Sequence, residues 1–144
     1  MPPNLTTMNY SRLSLATLAA TVAYFAFGTL VWVLVPAMKE EAGKFPALFR
    51  PHEEMKRVAP VGLIGTLIAV LVVTLLFARI YPQGAGAADG LSFGAFIGAF
   101  VVCGFVLHNY ANLNIGLKLT ALQGVGLFIE WVIVGIVIAL VYRG

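Results

Sequence analysis

Glu130 is the residue of this chain whose type and position most demand an explanation: an acid at the midpoint of an apolar run from 119 to 141. An ionised carboxylate at the centre of a lipid core costs roughly 2.5 kcal/mol or more even on lenient insertion scales. It must therefore be neutral, paired or facing water. Gln123 precedes it by two helical turns and so shares its face. If the first and last apolar runs pack antiparallel, Tyr24 falls at about the depth of Glu130, and a hydroxyl-to-carboxyl contact is the expected pairing. A second polar group gathers nearer one end: His108 and Asn109 close the third run, Asn112 and Asn114 follow in a turn, and Lys118 stands at the mouth. Together they outline a candidate intramembrane proton or ligand site of Glu130, Tyr24, Gln123, His108 and Asn109, in which Glu130 titrates and His108 relays protons near the surface. The same residues also suit plain interhelical hydrogen bonding, with asparagines capping helix ends. That bland reading is the preferred one, because one acid and one histidine are few for a transport pathway.

Other chemistries find no support in the residue pattern. Cys103, His108, His52 and Glu53 have no metal-ligand spacing, and His108 has no second histidine within a span to complete haem ligation. There is no nucleophile beside a base, no phosphate-cradling glycine loop and no paired carboxylates. The expectation is no metal, no cofactor and no enzymatic activity. The single Cys103 excludes an intrachain disulfide and reads as a small buried packing residue.

The elements that position these residues follow from composition. The chain is 60% hydrophobic and 10% charged with a mean hydropathy of +0.95, against roughly 45–50% and 25% for a soluble domain. A lipid core needs roughly 20 consecutive apolar residues per helix. Four runs qualify, at about 14–35, 58–80, 91–111 and 119–141. They are separated by a charged loop at 38–57, a glycine-rich turn at 82–90 and a polar turn at 112–118. In hydrocarbon every backbone amide must be satisfied within its own segment, and continuously apolar runs lack the alternation of barrel strands. The expected fold is an all-α integral membrane protein, an antiparallel four-helix transmembrane bundle, forming a single membrane domain over 1–144. Small residues at Val35-Pro36-Ala37 do not make the first run a cleaved leader, since the run is too long and Arg12 is its only preceding positive charge.

Between helices in lipid, close approach depends on small residues. The third run carries Gly94 and Gly98, with Ala95 and Ala99 beside them and Gly104 beyond; the second has Gly62, Gly65 and Ala69, and the fourth Gly124, Gly126 and Gly135. These faces are expected to pack within the chain rather than against a second copy. In the first run Thr17, Ala20, Thr21, Tyr24 and Gly28 form a small, weakly polar stripe expected to face the interior. Trp32 and Tyr142 fit the aromatic belts at the water interfaces.

The net charge of +3 and pI near 9.2 come from basic residues at span ends, so lipid headgroups are the expected partners and nucleic acid is not. Lys39, Lys44, Arg50, Lys56, Arg57 and Lys118 outnumber Arg12, Arg79 and Arg143 on the other side. This places the first and third loops in the cytoplasm and both termini outside, in a cell membrane such as the bacterial inner membrane. Within 38–57, Glu40 with Lys44 and Glu53 with Arg57 have the spacing of helical ion pairs, Pro51 suits a first helical position, and Glu53 and Glu54 suit a first turn. Phe45, Leu48 and Phe49 are expected to dip into the interface, the loop serving as a lipid-skimming connector more readily than as a docking surface.

The glycine-rich third run, its ending in Asn109-Tyr110, the short turn to Lys118-Leu119 and a last run with Gly135 resemble a family of small four-span bacterial and fungal membrane proteins, domain of unknown function 1761. Gly28 and Trp32 before Pro36 add to the resemblance, although the family brings glycine, aromatic pair and proline closer together. The resemblance implies the architecture and no activity. The leading expectation is a noncatalytic module, a homo-oligomer or accessory subunit of a larger membrane assembly. The alternative is a proton-coupled small-solute transporter or channel that titrates at Glu130.

Overall fold

The computed structural model describes residues 8–83 and 85–142; Arg143, counted above for orientation, lies outside them. Among the described residues every regular element is helical. They are α1 (Tyr10–Leu34), α2 (Pro36–Gly43), α3 (His52–Ile80), α4 (Ala87–Asn112) and α5 (Leu117–Val141), with a 3-10 turn at Pro46–Leu48. All but α2 are long and apolar enough to cross a membrane.

Each long helix begins before its apolar run does, because polar residues carry the backbone on past it. The Asn9 side chain caps α1 by accepting from the Arg12 amide at 3.1 Å. Asp89 accepts from the Gly86 amide at 3.0 Å and so closes the start of α4. Pro51 caps α3 from outside rather than occupying its first turn, whereas Glu53 and Glu54 do lie in that turn. Inside α1 and α3 the hydroxyls of Thr17, Thr21 and Thr74 donate to carbonyls one turn back, at 2.8–2.9 Å, which lets all three be buried.

Helix α5 is the axis on which α4 and α1 pack. Along the α4 seam, a β-carbon added at Gly94 would lie 2.8 Å from Val132 Cα, and one at Gly98 3.0 Å from the Phe128 carbonyl; Gly135 lies directly against Gly90 and Gly94. Contacts thus step backward along α5 as they step forward along α4. The two glycine faces are spent on each other within one chain. Gly124 makes only ordinary contact with Val102 and Val106. Gly104, Gly62 and Gly65 have open space where a side chain would be, so the expectation that they mediate packing is corrected. Cys103 is likewise exposed rather than buried, because it points away from the α5 seam.

Helix α1 buries Thr17, Ala20 and Thr21 of the stripe expected to turn inward, with Leu13 and Ala16 beside them, whereas Tyr24 and Gly28 are half-buried. Helix α3 joins the core only from Val70 onward, through Thr74, Phe77 and Ala78; its residues 52–65 are all exposed. The core therefore concentrates at one end. There the Phe77 ring meets Phe93 edge-on at 5.2 Å and Tyr142 at 6.4 Å. Tyr142 is 1% exposed, a core residue and not the interfacial anchor its terminal position suggested.

At the other end α2 folds back onto the start of α5, where Met38 and Ala42 form a small cluster with Leu119. Lys44 turns to Glu41 rather than to Glu40, at 2.7 Å, and Lys56 rather than Arg57 pairs with Glu53, at 3.1 Å. In both cases the lysine reaches the acid three residues back, and Glu54 is left to Arg50 at 3.7 Å.

Candidate functional site

At the α2 end, where α3 is exposed, α1, α4 and α5 line a cavity together with Met38 of α2 and the first loop. It has a volume of about 340 Å³ and runs from Glu130 past Gln123 and Asn109 to Leu48 and Phe49 of the first loop. Its walls are largely apolar and aromatic: Phe27, Val31 and Trp32 from α1, Phe105 from α4 and Leu127 from α5. The polar cavity expected from the sequence is thus a greasy one with three polar groups set into it. Among its lining residues Glu130 alone is ionisable.

The carboxyl is brought to this place by two helices. It stands on α5, 5% exposed, and reaches across to α1 where Gly28 leaves room; a β-carbon at Gly28 would lie 2.8 Å from Glu130 Oε1. One turn earlier on α1, the Tyr24 hydroxyl meets the same carboxyl, as the matching depth of the two residues predicts. The Tyr24 ring is held edge-on against Trp131 at 5.7 Å. A second, smaller recess of about 270 Å³ lies on this side, lined by Tyr24, Phe25, Gly28, Thr29, Trp32 and Glu130. Both recesses share Gly28, Trp32 and Glu130, so the carboxyl has free space on two sides.

The far wall depends on an irregularity in α4. From Val102 to Leu107 the helix widens to π geometry before resuming as α-helix at His108. A π turn takes in an extra residue and so rotates everything beyond it. Phe105 within the turn and Asn109 just after it line the cavity. His108 does not; it is exposed, and its carbonyl accepts from the Asn112 side chain at 2.7 Å. The relay role expected of His108 therefore has no geometry here, whereas Tyr24, Gln123 and Asn109 are gathered around the space beside Glu130.

Glu41 was not singled out by the sequence. Its carboxylate, on a side chain 6% exposed, accepts from Lys44 at 2.7 Å and lies 2.9 Å from Lys118 Nζ at the head of α5. The Lys44 ammonium, and then the Lys118 ammonium, hold the Glu41 carboxyl below the usual glutamate value. Lys118 is thus occupied in fastening α2, whose Met38 lines the cavity, and is not a free charge at its mouth. Met38, Glu41 and Ala42 share the inward face of α2 by helical spacing, the one signal that could have pointed to Glu41.

Among the described residues no group of three or more histidines, cysteines or acids could hold a metal ion. Comparison of the chain with known protein families, with curated proteins and with solved structures finds no match in any of the three.

Proposed function

We propose that this chain is a multi-pass integral membrane protein, an antiparallel four-helix transmembrane bundle that binds a small solute at Glu130 and couples binding to protonation of that carboxyl. The observation that carries the reading is the cavity itself: a buried acid with no basic partner among the described residues, open on two sides to space large enough for a small molecule. An acid that served only to tie α1 to α5 would need no such space. Bilayer insertion is supported by the outer surface, where Phe96 and Phe100 are 78% and 76% exposed among many aliphatic neighbours. Orientation rests on the distribution of lysine and arginine, with the first and third loops cytoplasmic and the termini outside a cell membrane. The resemblance to domain of unknown function 1761 rests on the residues quoted above. The absence of a nucleophile beside a base favours a noncatalytic protein.

The test is proton movement in liposomes carrying the purified protein and an entrapped pH dye, with an imposed pH gradient. A panel of amines, amino acids, carboxylates and neutral sugars is added outside. At least one class should dissipate the gradient with the native chain and none with Glu130→Gln. Equal dissipation by the variant, or by no class with either protein, would sink the reading. A second reading, a homo-oligomer or accessory subunit, is favoured by one observation: residues 52–65 of α3 are all exposed, with Gly62 and Gly65 open along them. The α4 face of Gly94 and Gly98 lends it no support, being covered by α5.

A further inference from the structure

The chemistry of the cavity goes further than the statement that it takes a solute. A carboxylate in low-dielectric surroundings needs a compensating positive charge, and protein interiors ordinarily supply one. None is supplied by the described residues. Among the described residues the four ion pairs all lie at the α2 end or the start of α3, and none includes Glu130. Neither recess is lined by lysine, arginine or histidine. The charge that balances Glu130 must therefore be a proton or must arrive with a ligand, and the two exclude each other at one carboxyl.

The surroundings select among cations. A hard metal ion demands six or more oxygen ligands or nearly so. Around Glu130 the structure offers instead the rings of Tyr24, Phe25, Phe27 and Trp32, with Phe105 on the opposite wall. Aromatic faces attract cations that have shed their water, and aliphatic walls accommodate an apolar body. Asn109 and Gln123 supply neutral hydrogen-bonding groups farther along and add no second charge.

We infer that the ligand is an organic cation with an apolar or aromatic body, its charge held between the Glu130 carboxylate and the Trp32 and Tyr24 rings, and that it exchanges with a proton on Glu130. This rests on the proposed solute site and names its substrate class. In the exchange no covalent bond to the ligand changes; the carboxylic acid O–H breaks, the proton leaves to water, and the cation takes its place. Tyr24 is the titratable group facing Glu130 from α1. Phe105 and Asn109 of α4, Gln123 of α5 and Leu48 and Phe49 of the first loop carry no proton that titrates near neutrality.

The experiment is equilibrium binding of tetraphenylphosphonium to the purified full chain in micelles of uncharged detergent, read by calorimetry, with tetraphenylborate as a probe of equal shape and opposite charge. Tetraphenylphosphonium should bind and tetraphenylborate should not, a comparison that needs no variant. Binding should weaken as the solution is acidified, because the proton competes for the same carboxyl. Glu130→Gln should weaken it about tenfold or more, the loss of a charge-assisted contact. Trp32→Ala, at a partly exposed wall position where folding is not at stake, should weaken it by a smaller factor, about three- to tenfold. Circular dichroism and gel filtration establish that each variant folds. Equal binding of the two probes, absence of tetraphenylphosphonium binding, or affinity that neither acid nor Glu130→Gln reduces would overturn the inference. The transport reading fails separately. If tetraphenylphosphonium binds through Glu130 but moves no protons in liposomes, the ligand class stands and transport falls. If another solute class moves protons while tetraphenylphosphonium does not bind, the reverse holds.

Discussion

At the scale of single residues, the two buried acids are stabilised in opposite ways. Glu41 has two lysines, and its carboxyl is held below the ordinary value of 4.5. A folded-state value lower than the unfolded one adds stability at all pH above 4.5, and this is lost as pH falls through the lowered value. Glu41→Gln should therefore unfold at a lower temperature than the native chain at neutral pH, and the gap should close in acid. Thermal unfolding of both proteins in detergent across that pH range checks it; a gap independent of pH would mean that the lysines do not act through charge. Glu130 has no such partner among the described residues, and its position is set by the missing side chain at Gly28. Gly28→Ala would place a methyl 2.8 Å from Glu130 Oε1, at the end of a flexible side chain that can swing aside. The variant should fold with nearly native stability while its affinity for a ligand at Glu130 changes, a separation of stability from binding that parallel thermal and calorimetric measurements would expose.

At the scale of elements, the seam between α4 and α5 is the least forgiving part of the chain. Gly94→Ala would drive a methyl into the backbone of Trp131 and Val132, which no side-chain movement relieves. A loss of about 1–3 kcal/mol is expected from overpacking of this kind. Gly65→Ala, with open space around it, should be neutral or gain up to about 1 kcal/mol from helix propensity. Unfolding in graded denaturing detergent distinguishes the two. The four long helices were legible in the sequence because each is a continuous apolar run bounded by charged, glycine-rich or polar turns, and the glycine face of α4 because close approach needs small residues. Spacing alone says that two backbones can approach, not that a partner is present, which is why Gly62, Gly65 and Gly104 carried the same signal without the contact. The meeting of Tyr24 with Glu130 followed from depth. The π turn that carries Phe105 and Asn109 to the cavity has no compositional mark, and the bond from Glu41 to Lys118 exists only once α2 has folded back onto α5. His108 was misleading for the same reason: one π turn upstream decides which of two adjacent residues, His108 or Asn109, faces the cavity.

At the scale of the whole molecule, the placement of the loops can be tested directly. In a Cys103→Ser background, single cysteines at Ala47 and Leu113 should react with a membrane-impermeant maleimide from one side, and a cysteine at Gln83 from the other. Labelling of Ala47 and Gln83 from the same side would overturn the four-span arrangement. The bundle is also uneven along its length. Helix α3 is gripped from Val70 to Ala78 and exposed from His52 to Gly65, with a cleft between Leu63 and the Phe25–Leu30 stretch of α1. A rod fixed at one end and pushed upon at the other is a lever, and in a bilayer the push is the lateral pressure of the acyl chains. Lipids with small headgroups and bulky tails raise that pressure at mid-depth and should press the free half of α3 toward α1. Distances between spin labels at Val33 and Val61 should shorten accordingly. The shape of the surrounding lipid would then set how widely this protein stands open.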